Sequence, residues 1–209
     1  VAGMTAAVLT LAGCGAGDPL VEDANEQLRS TSFHSSGTTT AFSGGTQEAW
    51  WDPKQGYHVK ASWIGGSGEM FCKDGRTYTG VTLLANALKE KGQPVTVPER
   101  LAGEFVVTET EGGCETFFEI PEEAERAAGN DRTLHGRKAQ AFTISAAGGA
   151  RDTYYVDGES SRLLLLESAR GGRSSTTEYD DYGELFPFSM PQDGNTMSME
   201  EFRRQVTPG

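Results

Sequence analysis

The sequence predicts an α+β domain built on an antiparallel sheet, and three observations carry that prediction. Apolar and polar residues alternate with period two through much of the chain, most clearly at 56–64, as in strands with one buried and one wet face. Four β-like runs fill the C-terminal third, and the short Gly-rich stretches between them demand that neighbouring strands be antiparallel. Helical periodicity is confined to a few short segments.

In chain order, Asp18-Pro19 reads as an N-cap followed by a first-turn proline, and Leu20, Val21, Ala24 and Leu28 recur at helical spacing, giving a short amphipathic helix to about Arg29. Residues 33–42 alternate in a Thr-rich run and predict a strand that ends at Ser43-Gly44-Gly45. A second strand holds Trp50 and Trp51 and stops at Pro53. In the third, Tyr57, Val59, Ala61 and Trp63 face one way and His58, Lys60 and Ser62 the other. Gly65-Gly66-Ser67-Gly68-Glu69 reads as a loop. Asp74-Gly75 between two β-like runs, 69–73 and 76–79, is a type I′ hairpin signal that sets Cys72 beside the turn.

Leu83, Leu84, Ala87 and Leu88 return to helical spacing over 82–91, closed by Gly92 and Pro94. Residues 98–107 carry no clear period. A helix is expected over 122–128, ended by Gly129-Asn130-Asp131. Runs 134–145, 151–156, 162–168 and 173–182 form the antiparallel meander, and 163–166, apolar on both faces, predicts a strand covered on both sides or central in its sheet. A last helix is expected from Ser198 as cap through Met199, Phe202 and Val206.

The N-terminal stretch Leu11-Ala12-Gly13-Cys14 reads as a lipobox: an apolar run, two small residues, then a cysteine whose thiol takes a diacylglyceryl group before cleavage in front of it. The alternative is a short apolar helix start with a chance thiol, since Val1-Ala2-Gly3 lacks the usual Lys or Arg. The run is far short of the ~20 apolar residues a membrane span needs. This divides the chain into a signal peptide (1–13), a lipidated tether (14–18), a domain (19–195) and a C-terminal helix and tail (196–209). It also predicts an extracytoplasmic location, anchored to the membrane through Cys14.

With Cys14 so used, Cys72 and Cys114 remain, an even number that predicts a disulfide in an oxidising compartment, with two separate buried thiols as the alternative. Leu, Ile, Val and Phe make up only 38 of 209 residues, a disorder-like share. The 10 Phe, 6 Tyr and 3 Trp, together with the period-two runs, argue instead for a folded domain with a modest core. A net charge of -12 without a basic cluster argues against a nucleic-acid partner.

Signals for catalysis are absent. His34, His58 and His135 are widely spaced and lie in no HExxH pattern, and Gly65-Gly66-Ser67-Gly68-Glu69 lacks the last Gly of a nucleophile elbow. Asp180-Asp181, near Glu178 and Glu184, lacks the order of a calcium loop and reads as a solvated acidic strand end. The expectation is a non-enzyme with no cofactor and no metal.

One resemblance joins these parts. The lipobox, the short helix, the strands and mid-chain helices, then Tyr155-Val156-Asp157, a hairpin, and Glu178-Tyr179-Asp180-Asp181-Tyr182-Gly183-Glu184 running to Pro187 and Pro191 together resemble the LolA-like lipoproteins, the group that includes LppX and LprG of actinobacteria. The resemblance implies a strongly curved antiparallel sheet, an open half-barrel, with helices packed on its concave side and an apolar cavity that takes acyl chains. Tyr57, Val59 and Trp63, with Phe142 and Ile144, would then line the cavity, although ordinary core packing predicts the same pattern. The expected function is binding or carrying a lipid or other amphiphile. The alternative is an interaction or sensor module of the same fold with a closed cavity, meeting an envelope protein. An open pocket of several hundred Å³ would favour the first reading, a filled interior the second.

Overall fold

A computed structural model describes residues 17–209; the lipobox and Cys14 lie outside the described residues. The elements follow in order: α1 (Pro19–Ser30), β1 (Phe33–Thr39), β2 (Gly45–Asp52), β3 (Gly56–Trp63), β4 (Gly66–Lys73), β5 (Arg76–Gly80), α2 (Val81–Glu90), β6 (Val95–Thr96), β7 (Phe105–Glu109), β8 (Glu125–Arg126), β9 (Arg132–Leu134), β10 (Arg137–Ala146), β11 (Ala150–Asp157), β12 (Leu163–Arg170), β13 (Arg173–Asp180), β14 (Thr196–Ser198), α3 (Met199–Gln205) and β15 (Thr207–Pro208). One large curved sheet runs β14-β7-β5-β4-β3-β2-β1-β13-β12-β11-β10-β8, with β9 beside β10, and its ends do not meet. All its pairings are antiparallel except β14 with β7.

Local chemistry accounts for the elements that were foreseen. The Asp18 carboxylate accepts the Leu20 N–H at 2.9 Å and opens α1, whose Val21, Ala24 and Leu28 are buried. Asp74 and Gly75 both have positive φ, 51° and 71°, which is what a type I′ turn between β4 and β5 requires. Ser198 caps α3 by accepting the Glu201 N–H at 3.1 Å.

Three expectations need correction. Residues 66–69 are not loop but the start of β4, where Gly68 pairs with Ala61. Any Cβ at Gly68 would lie 2.7 Å from the Leu83 Cβ, so glycine there lets α2 rest directly on the strand. Residues 122–128 form no helix. Local sequence favours a helix start there, but the chain extends instead to pair Arg126 with Phe142 and to donate the Ala127 N–H to Ala141 O at 2.8 Å, long-range bonds that override the local preference. Residues 134–145 are not one strand. His135 (φ 49°) and Gly136 (φ 80°) turn the chain between β9 and β10.

α1 and α2 pack against one face of the sheet, the covered face. Under α1 lies an aromatic core in which Phe33, Trp51, Tyr57, Phe118, Phe142, Tyr154 and Tyr179 are all buried. Leu163 joins this core while Leu164 and Leu165 enter a smaller cluster on the opposite face, so this strand is covered on both sides, as its composition predicted. The Cys72–Cys114 disulfide ties β4 to the segment that carries Phe118. The Asn25 side chain completes the seal, donating to Ile120 O and accepting from Ile120 N, each at 2.8 Å and buried.

Candidate functional site

Position along the sheet decides where a ligand fits. The five residues expected to line a cavity all sit on the covered face, Tyr57 and Phe142 buried and Val59, Trp63 and Ile144 partly exposed. Tyr57 stacks on Phe117 with centroids 5.9 Å apart and touches Phe118 at 5.4 Å. Burial drives its phenol pKa well above the usual value, so it stays neutral. Phe142 is fully buried, with the Arg126 guanidinium 5.5 Å above its ring. Val59 and Ile144 are half-buried against the same core, and Trp63 packs on Phe42 at 5.1 Å beside Leu83. Phe117 and Phe118 occupy the space before Tyr57, whereas Val59, Trp63 and Ile144 remain partly exposed.

The apolar opening lies one step along, where α2 meets the C-terminal segment. Leu84 and Leu88 of α2 face Val95, Met199, Phe202, Val206 and Pro208 across a crevice of about 360 Å³. This is near the lower end of the range typical of small-molecule sites, about 300–1,000 Å³. Phe202 forms the floor together with buried Val81, Leu101, Val106 and Met197, while Leu84, Leu88, Val95, Met199 and Val206 remain half-exposed. Seven of the nine lining residues are apolar; the polar pair is Gln93 and Arg203. Arg203 makes no ion pair among the described residues, unlike its neighbour Arg204, which pairs with Glu200 at 2.6 Å.

Local structure explains the crevice. β15 pairs with β6, Gly209 donates to Pro94 O at 3.0 Å, and Arg100 reaches Gln205 Oε1 at 2.9 Å. These contacts hold the C-terminal end of α3, the β14–β7 pairing holds its N-terminal end, and its apolar stripe faces α2. Sequence reading found Leu84, Leu88, Met199, Phe202 and Val206 as separate helical stripes. It had no signal that the two helices face each other, because 115 residues separate Leu84 from Met199 and long-range pairings, β14 with β7 and β15 with β6, bring them together.

On the opposite, outer face, residues 183–195 run as an extended strap from β13 to β14. The strap sets Phe188 5.3 Å from His58 and Phe186 6.4 Å from His34. His58 is buried, stacks on Phe71 at 4.1 Å and meets Glu69 Oε2 at 2.8 Å. Burial lowers its pKa, opposed by the Glu69 carboxylate. His34 contacts Asp180 at 2.7 Å. With Asp181 these two could offer ligand atoms to a cation, but both carboxylates are exposed and no further feature of the cluster points to an ion.

The architecture can be set beside known structures. No protein-family model and no curated protein matches the sequence. Among solved structures, an uncharacterized conserved protein of Thermus thermophilus aligns with a TM-score of 0.54 at 8% identity, covering 86% of this chain and 96% of that one. LprF of Mycobacterium bovis aligns at 0.46 and 12% identity, covering 85% and 99% of the two chains. The lipoprotein LppX of Mycobacterium tuberculosis aligns at 0.43 and 12% identity, covering 80% and 95%. At such identities the likeness is one of fold alone: an open, curved, mostly antiparallel sheet with helices against it.

Proposed function

We propose that the chain is a non-catalytic, membrane-tethered binding protein of the extracytoplasmic envelope, whose ligand is a single-chain amphiphile held between α2 and α3. The observation that carries this reading is the half-exposed aliphatic crevice, with an unpaired Arg203 among its lining residues. Its volume suits one acyl chain better than a diacyl lipid, and the cation favours an anionic head group. This reading moves the ligand from the residues expected at the sequence level, Tyr57, Val59, Trp63, Phe142 and Ile144, to Leu84, Leu88, Met199 and Val206.

Export and anchoring rest on the lipobox sequence and on the oxidised Cys72–Cys114 pair. Among the described residues no helix is long and apolar enough to cross a membrane. In this proposal the tether through Cys14 supplies membrane residence, and replacing Cys14 with Ala should move the protein to the soluble fraction.

A second reading, a module that meets an envelope protein, is supported by the aromatic core packed under α1. A fluorescent fatty acid decides between the two. The amphiphile reading expects uptake at micromolar concentration that Leu88→Trp, which fills the crevice, abolishes. No uptake by the unmodified protein would favour the interaction module.

A further inference from the structure

The outer face carries a second, chemically opposite groove. Clear of the strap, it forms a trough of about 710 Å³ whose floor is a cross-strand row of hydroxyls. Ser67 pairs with Ser62, Ser62 with Thr46, and Thr46 with Thr38. The Thr38 hydroxyl then accepts the Thr176 N–H at 3.0 Å and carries the row onto β13. All five residues are exposed. Beyond them the row continues through Glu167 and Thr153 to Thr143, so one line crosses eight adjacent strands. Gly37 keeps β1 and β13 close at the floor, where a Cβ would lie 1.9 Å from the Thr176 carbonyl oxygen.

We infer that this trough binds an uncharged, linear polysaccharide. Two properties select that occupant. The first is charge: the charged groups lining the trough are Lys60, Glu48 and Glu69, a sum of +1 - 2 = -1, on a chain of net charge -12. Polyanions are repelled and Glu69 is already engaged by His58 at 2.8 Å, whereas a neutral polyol meets side chains that both donate and accept. The second is spacing. The five exposed hydroxyls, one per strand, repeat at about 4.8 Å, and an extended β-1,4-linked pyranose chain advances about one ring over that distance with hydroxyls on both edges. A chain laid across the strands therefore meets a fresh hydroxyl at every sugar. The trough lies on the face opposite α2, so this inference stands apart from the amphiphile reading.

The experiment is titration of the purified full-length protein with β-1,4-linked hexamers of N-acetylglucosamine and of glucose, followed by amide NMR. A hexamer is expected to shift the signals of Thr38, Thr46, Ser62 and Ser67, and its dimer to bind at least tenfold more weakly. Thr38→Val with Thr46→Val keeps the shape and strand propensity while removing the exposed Thr176-to-Thr38 bond, so binding should weaken at least tenfold with the fold intact by amide NMR. The inference is overturned if neither hexamer shifts these signals at millimolar concentration, if dimer and hexamer bind alike, if the double valine variant binds as well as the parent, or if an anionic hexamer of galacturonic acid binds more tightly.

Discussion

Two regions of this sheet are covered by helices, and they are finished differently. Under α1 the space is closed by large rings, by the Cys72–Cys114 bridge and by Asn25 gripping the Ile120 backbone. Under α2 and α3 it is bounded by mid-sized aliphatic groups that reach only part of the way across. The same architecture thus gives a sealed core in one region and an unfilled crevice in the other. The difference teaches that the capacity to take an apolar ligand is set by the side chains filling each section, and the fold alone does not fix where the opening lies.

The largest expected effect falls on the sealed region. Replacing both Cys72 and Cys114 with Ala removes a crosslink between residues 42 apart in sequence, which should lower stability by about 2–4 kcal/mol. Urea unfolding of the oxidised parent and the variant measures it. A loss confined to the crevice region would contradict the division drawn here. Next, Asn25→Ala leaves a buried N–H and C=O of Ile120 without partners, an effect of about 2–3 kcal/mol that the same titration reads. By contrast, Leu88→Trp puts new atoms into unfilled space, so the unfolding free energy should change by less than about 0.5 kcal/mol while fatty-acid uptake disappears. A large loss of stability would show the crevice to be ordinary core.

The smallest effect concerns the strap that links the two regions. Folding holds the His58 pKa below its ordinary 6.5 by burial, against the pull of Glu69, with Lys60 adding to the lowering. The unfolded chain therefore binds this proton first. The stabilisation is complete above pH 6.5 and fades as pH falls from there toward the folded value. A melting-temperature series between pH 7.5 and 5 should show this decline in the parent, and His58→Gln should flatten it. An unchanged slope would remove His58 from the account.

Much of the fold was legible because its signals are local. The Asp18-Pro19 cap, the Asp74-Gly75 turn, the alternation at 56–64 and the Ser198 cap each depend on a few neighbouring residues and physical rules of short range. The misread segments depend on distant partners. Gly68 belongs to a strand because Leu83 lies on it, and Ala127 extends because Ala141 offers a carbonyl. The candidate site was legible only as parts. Parity identified Tyr57 and Phe142 as inward-facing, but it could not tell that Phe118, on the segment tied by the disulfide, would lie against Tyr57 or that Arg126 would lie over Phe142. The hydroxyl row left a trace in Ser35-Ser36-Gly37-Thr38-Thr39-Thr40 and Ser174-Ser175-Thr176-Thr177, two runs that become neighbours only through the β1–β13 pairing.

The central claim, that an amphiphile binds between α2 and α3 and leaves the sheet interior untouched, is tested most directly with a spin-labelled stearate and methyl NMR of the purified protein. The account predicts that the label broadens the methyl signals of Leu84, Leu88, Met199 and Val206 and spares those of Val59 and Ile144. Broadening of Val59 and Ile144 with the crevice methyls unchanged would contradict it.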